Sequence, residues 1–246
     1  MNEIDFLGYR ITNATFAECI NYIDNSILQD DVIQIVPFNA NKLYKCRFDK
    51  KLMEISRTAS LIIPEYAIVW GAKKLGTPLV EHIGGIMLMR KLLELSSKKP
   101  YRFYFLGAKE EIVSKMIELL PENYPGIHIS GWQHGYFDSE KEIVEKVVAS
   151  NANILLVALG TPKQEYFIKK HLQDFGVNIV MGVGGSFDVF AGLRKETPSR
   201  WRKGFEWIYR LAQDPLNFGY WKRYFITNPW FVYQVYKNKL LKGVVK

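Results

Sequence analysis

Cysteine is nearly absent from this chain: Cys19 and Cys46 are the only two among 246 residues. Two thiols cannot build a disulfide framework and their spacing matches no metal site, so both are read as reduced thiols of a cytosolic protein. No run approaches the roughly 18 consecutive apolar residues that a membrane span requires. Residues 1–10 carry acids and no apolar stretch, so no secretory signal is expected. A P-loop, G-x-x-x-x-G-K-S/T, is missing. The nearest approach to a dinucleotide fingerprint, Gly182-Val183-Gly184-Gly185-Ser186-Phe187, puts Phe where the third glycine belongs, which disfavours hydride transfer. Nor is there an Asp-x-Asp triplet to hold a diphosphate through a divalent ion, so no metal and no other cofactor is expected.

What the chain does have is a pair of buried-looking apolar runs that end alike. Ile154–Leu159 leads into Gly160-Thr161-Pro162-Lys163-Gln164-Glu165, and Val177–Met181 leads into Gly182–Asp188. Short apolar runs without alternation suit strands covered on both faces, as in a parallel sheet. Glycine and small polar residues follow each run, where open α/β sheets bind ligands, and backbone N–H groups at such turns suit phosphate. A chain that is 48% hydrophobic at this length supports one sizeable α/β core with room for an appendage.

Charge is unevenly spread. Residues 194–246 carry 12 Lys and Arg against 3 Asp and Glu, a net of +9, whereas residues 1–193 carry 21 against 22, a net of −1. The same tail holds Trp201, Trp207, Trp221 and Trp230, four of the six tryptophans. Cations interleaved with aromatics suit an anionic membrane surface. They equally suit single-stranded nucleic acid, or plain packing of a helical pair on the core. All three readings stand on composition alone.

The periodicities alternate. A hairpin is expected over 3–12 and a helix over 15–29, started by a Thr15/Glu18 capping box. Strands are expected at Val32–Pro37, Leu61–Ile63, Tyr101–Leu106, Ile127–Ile129 and the two runs above. Helices are expected at about 40–57, 66–75, 85–97, 108–120, 139–150 and 163–173. This order predicts a doubly wound parallel, Rossmann-like sheet with a basic, aromatic, helical C-terminal appendage. The composition change near Gly192–Pro198 divides a core, 1–193, from the appendage, 194–246.

A set of ordered motifs resembles the WecG/TagA/CpsF glycosyltransferases. They are Asn39-Ala40-Asn41-Lys42-Leu43, Trp70-Gly71-Ala72, Lys74-Leu75-Gly76, Leu159–Glu165, Gly182–Asp188 with Gly192, and Glu206–Leu211 with Pro215. The resemblance runs from about residue 3 to 235. It implies an inverting transfer of a sugar, often N-acetylmannosamine or a relative, from a UDP donor to an undecaprenyl-diphosphate-linked sugar in wall or surface polysaccharide synthesis. It further implies work without a metal at the cytoplasmic face of the membrane, reached through the appendage. The chain departs from the family at several places. Glu65-Tyr66 stands where the family has Asp-Gly, the Asp being its proposed base, Pro37 stands for Thr, and His82 for Arg. Ile86-Met87 replaces a small residue and Asp, Glu196-Thr197-Pro198 replaces Arg-Ala-Pro, and Asn217 replaces Arg. The reaction class therefore carries over better than the sugar.

Attack of a sugar hydroxyl on an anomeric carbon needs a base and stabilisation of the departing diphosphate. Glu65, after a strand and a proline, is the candidate base; a helix N-terminal acid is the alternative. Asn39, Gly107, Gly160, Thr161, Lys163, Gln164, Glu165, Gly184, Gly185, Ser186 and Asp188 are the candidate donor-binding residues, set against N-capping, helix-start and tight-turn duties. Arg200, Arg202, Arg210 and Arg223 are candidates for the acceptor's diphosphate, because guanidinium grips phosphate bidentately. The partners expected are a UDP-sugar, a polyprenyl-diphosphate-linked sugar and an anionic membrane surface, with homo-oligomerisation left open and no nucleic acid. A soluble nucleotide-dependent enzyme and a nucleic-acid-binding module are the competing classes.

Overall fold

The computed structural model of the chain describes residues 1–194, 211–212 and 218–244. Its centre is a six-stranded parallel sheet, bearing out the doubly wound α/β expectation. The strands are β3 (Ile33–Phe38), β4 (Leu61–Pro64), β5 (Arg102–Gly107), β6 (His128–Gln133), β7 (Ile154–Ala158) and β8 (Ile179–Gly182). Their order is β4-β3-β8-β7-β5-β6. The chain moves outward from β3 to β4, crosses to β5 and β6, and returns through β7 to β8. All carboxyl ends thus point one way, and the two halves meet at β3 and β8.

Alternate strand residues enter two apolar layers. Ile33, Ile35, Ile63, Phe103, Phe105, Leu156 and Met181 pack under α1 (Phe16–Leu28), α5 (Gly85–Leu95) and α6 (Glu110–Asn123). The opposite face meets α4 (Tyr66–Lys74) at the β3–β4 end, through Val36, Ile62 and Ile68. It meets α7 (Glu140–Ala149) and α8 (Lys163–His171) at the β5–β7 end, through Tyr104, Leu155 and Val157. Burial on both faces is why these strands read as unbroken apolar runs.

The hairpin β1 (Asn2–Phe6) and β2 (Tyr9–Asn13) forms its own antiparallel sheet. It lies against β4, where Ile62 N donates to Thr12 Oγ1 at 3.1 Å, covering an edge strand that would otherwise be exposed. The Thr15 capping box forms as expected.

The single helix expected over 40–57 is two, α2 (Ala40–Cys46) and α3 (Lys50–Thr58). Asp49 restarts the chain by accepting from Leu52 N at 2.9 Å, an N-cap that competes with helix continuation. The Arg47 guanidinium at the corner lies 4.7 Å from the Trp230 ring centroid and also covers Tyr44 and Phe48.

After β8 come α9 (Ser186–Phe190), α10 (Phe218–Lys222), a π-helical turn over Arg223–Thr227 and α11 (Asn228–Val244). α11 shares the core's apolar packing. Phe231 and Val235 are buried with Phe6, Tyr9 and Ile68. Gly71 makes room for this: a Cβ there would lie 2.8 Å from Phe6 Cζ and 3.1 Å from Phe231 Cζ. Each buried side chain contributes about 1.5–3 kcal/mol, enough to hold a helix that propensity alone would leave marginal.

Candidate active site

A cavity of about 470 Å³ opens beyond the carboxyl ends of β3, β4 and β8, alongside the loop after β7. Asn39 and the start of α2 form one side, Glu65 to Ala67 and Gly85-Ile86 another, and Gly160, Thr161, Gln164 and Gly182 to Ser186 the floor. Arg194, Arg223, Tyr224 and Asn228 close it from the C-terminal side. A larger cavity, about 590 Å³, lies between α5, α6 and α9 and shares only Val189 with the first. Its polar groups, among them Arg90, Glu94 and Asn123, come from helix flanks rather than strand ends, so the smaller cavity is the better site.

Glu65 stands before α4 but does not cap it with its side chain. Its Oε1 turns to the start of α5 and accepts from Gly85 N at 3.2 Å. Two helix N-termini therefore meet at one carboxylate. Gly85 is small for a reason: a Cβ would fall 2.7 Å from Pro37 Cγ. His82 lies edge-on to Tyr66, with ring centroids 5.9 Å apart.

Opposite Glu65 are cations. Lys42 is 3% exposed, and its Nζ donates to Pro37 O and to Glu165 Oε1, each at 2.8 Å. Burial pushes the Glu165 carboxyl upward, but the Lys42 charge and hydrogen bonds from Lys42 and Gln164 hold it below the usual carboxylate range. Lys45 Nζ donates to Thr161 O. Burial lowers the Lys45 pKa and the like charges of Lys42, Lys222 and Arg223 lower it further, with Glu165 opposing. An anion entering the cavity would relieve that crowding.

Asn39, Gly160, Thr161, Gln164, Gly184, Gly185 and Ser186 all line the cavity with Glu65 and Arg223. Asn39 also caps α2, its Oδ1 accepting from Lys42 N at 2.9 Å. The amide cradle expected at Gly184–Ser186 is mostly committed elsewhere. Gly184 N donates to Gln164 Oε1 at 3.1 Å, and Ser186 N to Val183 O at 3.2 Å. Ser186 Oγ donates to Val183 O as well. Glu165 is buried behind the floor rather than facing the cavity. Lys163 lies over the Phe137 ring, 5.6 Å from its centroid. Gly107, at φ 129°, lets β5 approach β7: a Cβ would fall 2.5 Å from Ala158 C. The Asp188 carbonyl accepts from Leu193 N and Arg194 N, turning the chain so that Arg194 reaches the cavity. Arg200, Arg202 and Arg210 lie outside the described residues.

Residues 4–244 match the family described as "Glycosyl transferase WecG/TagA/CpsF family". The chain belongs to that family. This glycosyltransferase is 32% identical over 241 residues to the N-acetylglucosaminyldiphosphoundecaprenol N-acetyl-beta-D-mannosaminyltransferase of Bacillus spizizenii (strain ATCC 23059 / NRRL B-14472 / W23), covering 97% of this chain and 91% of that one. It is 31% identical over 244 residues to the protein of the same name from Staphylococcus aureus (strain MW2), covering 96% and 93%. One cavity of this hexosyltransferase is lined by the Glu65 carboxylate and by Lys45, Arg194 and Arg223.

Lys42, Lys45 and Arg194 of this glycosyltransferase were not singled out by sequence. Lys42 stands three residues after the N-cap Asn39 and Lys45 three after Lys42, so the two lysines are neighbours on one face of α2. That spacing was the available signal.

Proposed function

We propose that this glycosyltransferase moves a hexose, N-acetylmannosamine or a relative, from a UDP donor to a sugar carried on a polyprenyl diphosphate. The observation that carries the reading is the cavity itself: among its described lining residues Glu65 is the one carboxylate, set against Lys45, Arg194 and Arg223. Glu65 takes the proton from the acceptor hydroxyl as that oxygen bonds to the anomeric carbon. The bond from that carbon to the phosphate oxygen breaks, and UDP leaves with the electron pair, inverting the centre. Lys45, Arg194 and Arg223 offset the developing diphosphate charge. Pro37, Ile86, Val183 and Val189 give the sugar ring an apolar wall.

Cations fill the place that a divalent ion takes in other transferases, so turnover is proposed to need no metal. Among the described residues no three His, Cys, Asp or Glu side chains gather as a metal set. EDTA should leave the rate unchanged; loss of activity restored by Mg²⁺ or Mn²⁺ would sink this part.

Among the described residues no helix is long and apolar enough to cross a membrane. The C-terminal segment instead turns Trp221, Phe225, Ile226, Val232, Tyr233, Tyr236, Leu240 and Leu241 outward. With Lys237 and Lys239 exposed on the same helix, this surface suits the headgroup layer of an anionic membrane, at the cytoplasmic face where the lipid-linked acceptor lies. The decisive experiment is a transfer assay with UDP-N-acetylmannosamine and a synthetic lipid-diphosphate-linked N-acetylglucosamine. Flotation on phosphatidylglycerol vesicles accompanies it. Transfer with salt-sensitive flotation is expected; no transfer from any of a panel of UDP-sugars defeats the reading.

A further inference from the structure

Beneath the cavity floor, the two oxygens of one carboxylate are used unequally. Glu165 is 2% exposed, and its Oε1 accepts from Lys42 Nζ at 2.8 Å, Gln164 Nε2 at 2.9 Å and Thr161 Oγ1 at 3.1 Å. Its Oε2, also buried, has no hydrogen-bond partner among the described residues. Each partner of Oε1 ties in a different strand end. Lys42 also holds Pro37 O, near the end of β3. Thr161 belongs to the loop after β7, and Gln164 holds Gly184 N in the loop after β8. The line continues from β3 toward Glu65. Pro37 lies against Gly85, and Gly85 N donates to Glu65 Oε1 at 3.2 Å.

Stability does not account for this arrangement. A buried ion pair at best breaks even with apolar residues of the same volume, because both charges lose their water. The unmatched Oε2 adds a further desolvation cost. What the pair supplies, and apolar packing does not, is a set of fixed donor–acceptor distances that joins three loops at one point, beside the separate links of Lys45 to Thr161 O and of Gln164 to Gly184 N.

We propose that the Lys42–Glu165 pair is a positioning device for the transfer step. It sets the spacing between the Glu65 carboxylate, reached through Pro37 and Gly85, and the donor-facing loops, reached through Thr161 and through Gln164 with Gly184. The inference rests on the glycosyl-transfer reading above. Both members act through other residues, and the ammonium of Lys42 is spent on Pro37 and Glu165. A base displaced by about 1 Å from its substrate loses on the order of 10²-fold in rate, whereas binding through Lys45, Arg194 and Arg223 is unaffected.

The test uses the full chain. Replacing both members at once, Lys42→Met with Glu165→Gln, strands neither charge in the interior. The double variant should melt within a few degrees of the parent and keep its UDP affinity and its KM for UDP-N-acetylmannosamine within about threefold. Its kcat should fall about 10- to 100-fold. Lys42→Arg, which retains charge and donors, should recover most of that loss. Glu165→Asp gives a second, charge-preserving check: one methylene shorter, it cannot reach all three donors, and it should lower kcat with KM unchanged. An undiminished kcat in the double variant, or in Glu165→Asp if the double variant does not fold, overturns the positioning role. So does a loss seen only in UDP affinity. If the parent transfers no sugar from any UDP donor, the glycosyl-transfer reading fails and takes this inference with it; an active parent beside an unimpaired variant defeats the inference alone.

Discussion

On the core side of the cavity, polar groups are tied to one another: Lys42 to Pro37 and Glu165, Gln164 to Glu165 and Gly184, Glu65 to Gly85. The wall from the C-terminal segment is made differently. Arg223 sits near Lys45 and Lys222, like charges brought together, while the helix behind it buries Phe231 and Val235 and turns its other aromatics outward. The first wall holds its groups in place before substrate arrives. The second brings together like charges, which Glu165 only partly offsets, and an apolar surface that the core does not cover. In the proposed mechanism the base belongs to the first wall, while the cations for the diphosphate come from both, Lys45 from the core and Arg223 from the C-terminal segment.

Substitutions that strike one wall at a time break this comparison most directly. The largest effect is expected from Glu65→Gln, which keeps shape and removes the base: kcat should fall by about 10²–10⁴-fold while UDP affinity by calorimetry stays put. An active Gln variant would move the base elsewhere. Next is Arg223→Ala. A charge-assisted hydrogen bond contributes about 1.5–3 kcal/mol, so transfer to the lipid acceptor should drop roughly 10- to 100-fold. Vesicle flotation, spread over many side chains, should change by less than the rate does. Equal losses in both would place Arg223 on the membrane instead of the diphosphate.

Gly71→Ala sharpens the comparison by loosening the second wall from the first. Its methyl meets the buried Phe6 and Phe231 rings, and overpacking of this kind costs about 1–3 kcal/mol. A lower Tm with easier proteolysis near α11 is expected; an unchanged Tm would mean that α11 docks without this contact. The smallest effect concerns acid. Because the Glu165 carboxyl is held low in the fold, its contribution to stability is complete above the ordinary carboxylate range and is lost as pH falls through the lowered value. Urea midpoints should fall with acid in the parent and less steeply in Glu165→Gln. Parallel profiles would remove Glu165 as a source of acid sensitivity.

Much of the fold was legible because burial on two faces writes itself into sequence. The runs Ile154–Leu159 and Val177–Met181, the Thr15 capping box and the strand–helix rhythm are local signals, and the sheet followed from them. Glu65, Asn39 and the Gly160 and Gly184 loops were legible as lining one candidate cavity because they directly follow strands whose ends share one edge. The break between α2 and α3 was not, because Asp49 as a cap looks like any polar residue within an amphipathic stretch. Lys42 stood only as one member of the Asn39–Leu43 motif, and Glu165 read as a donor contact or a helix start. Their pairing joins residues more than a hundred positions apart and leaves no local mark.

By itself, then, the sequence determined the α/β class, the sheet edge that holds the candidate site and the excess of cations toward the C-terminus, since each follows from periodicity or composition. Tertiary structure alone decided which cations face Glu65, which amides are already committed, and which aromatics of the final helix turn inward. Those outcomes depend on which strand ends become neighbours, and the order β4-β3-β8-β7 brings together segments that the chain keeps far apart.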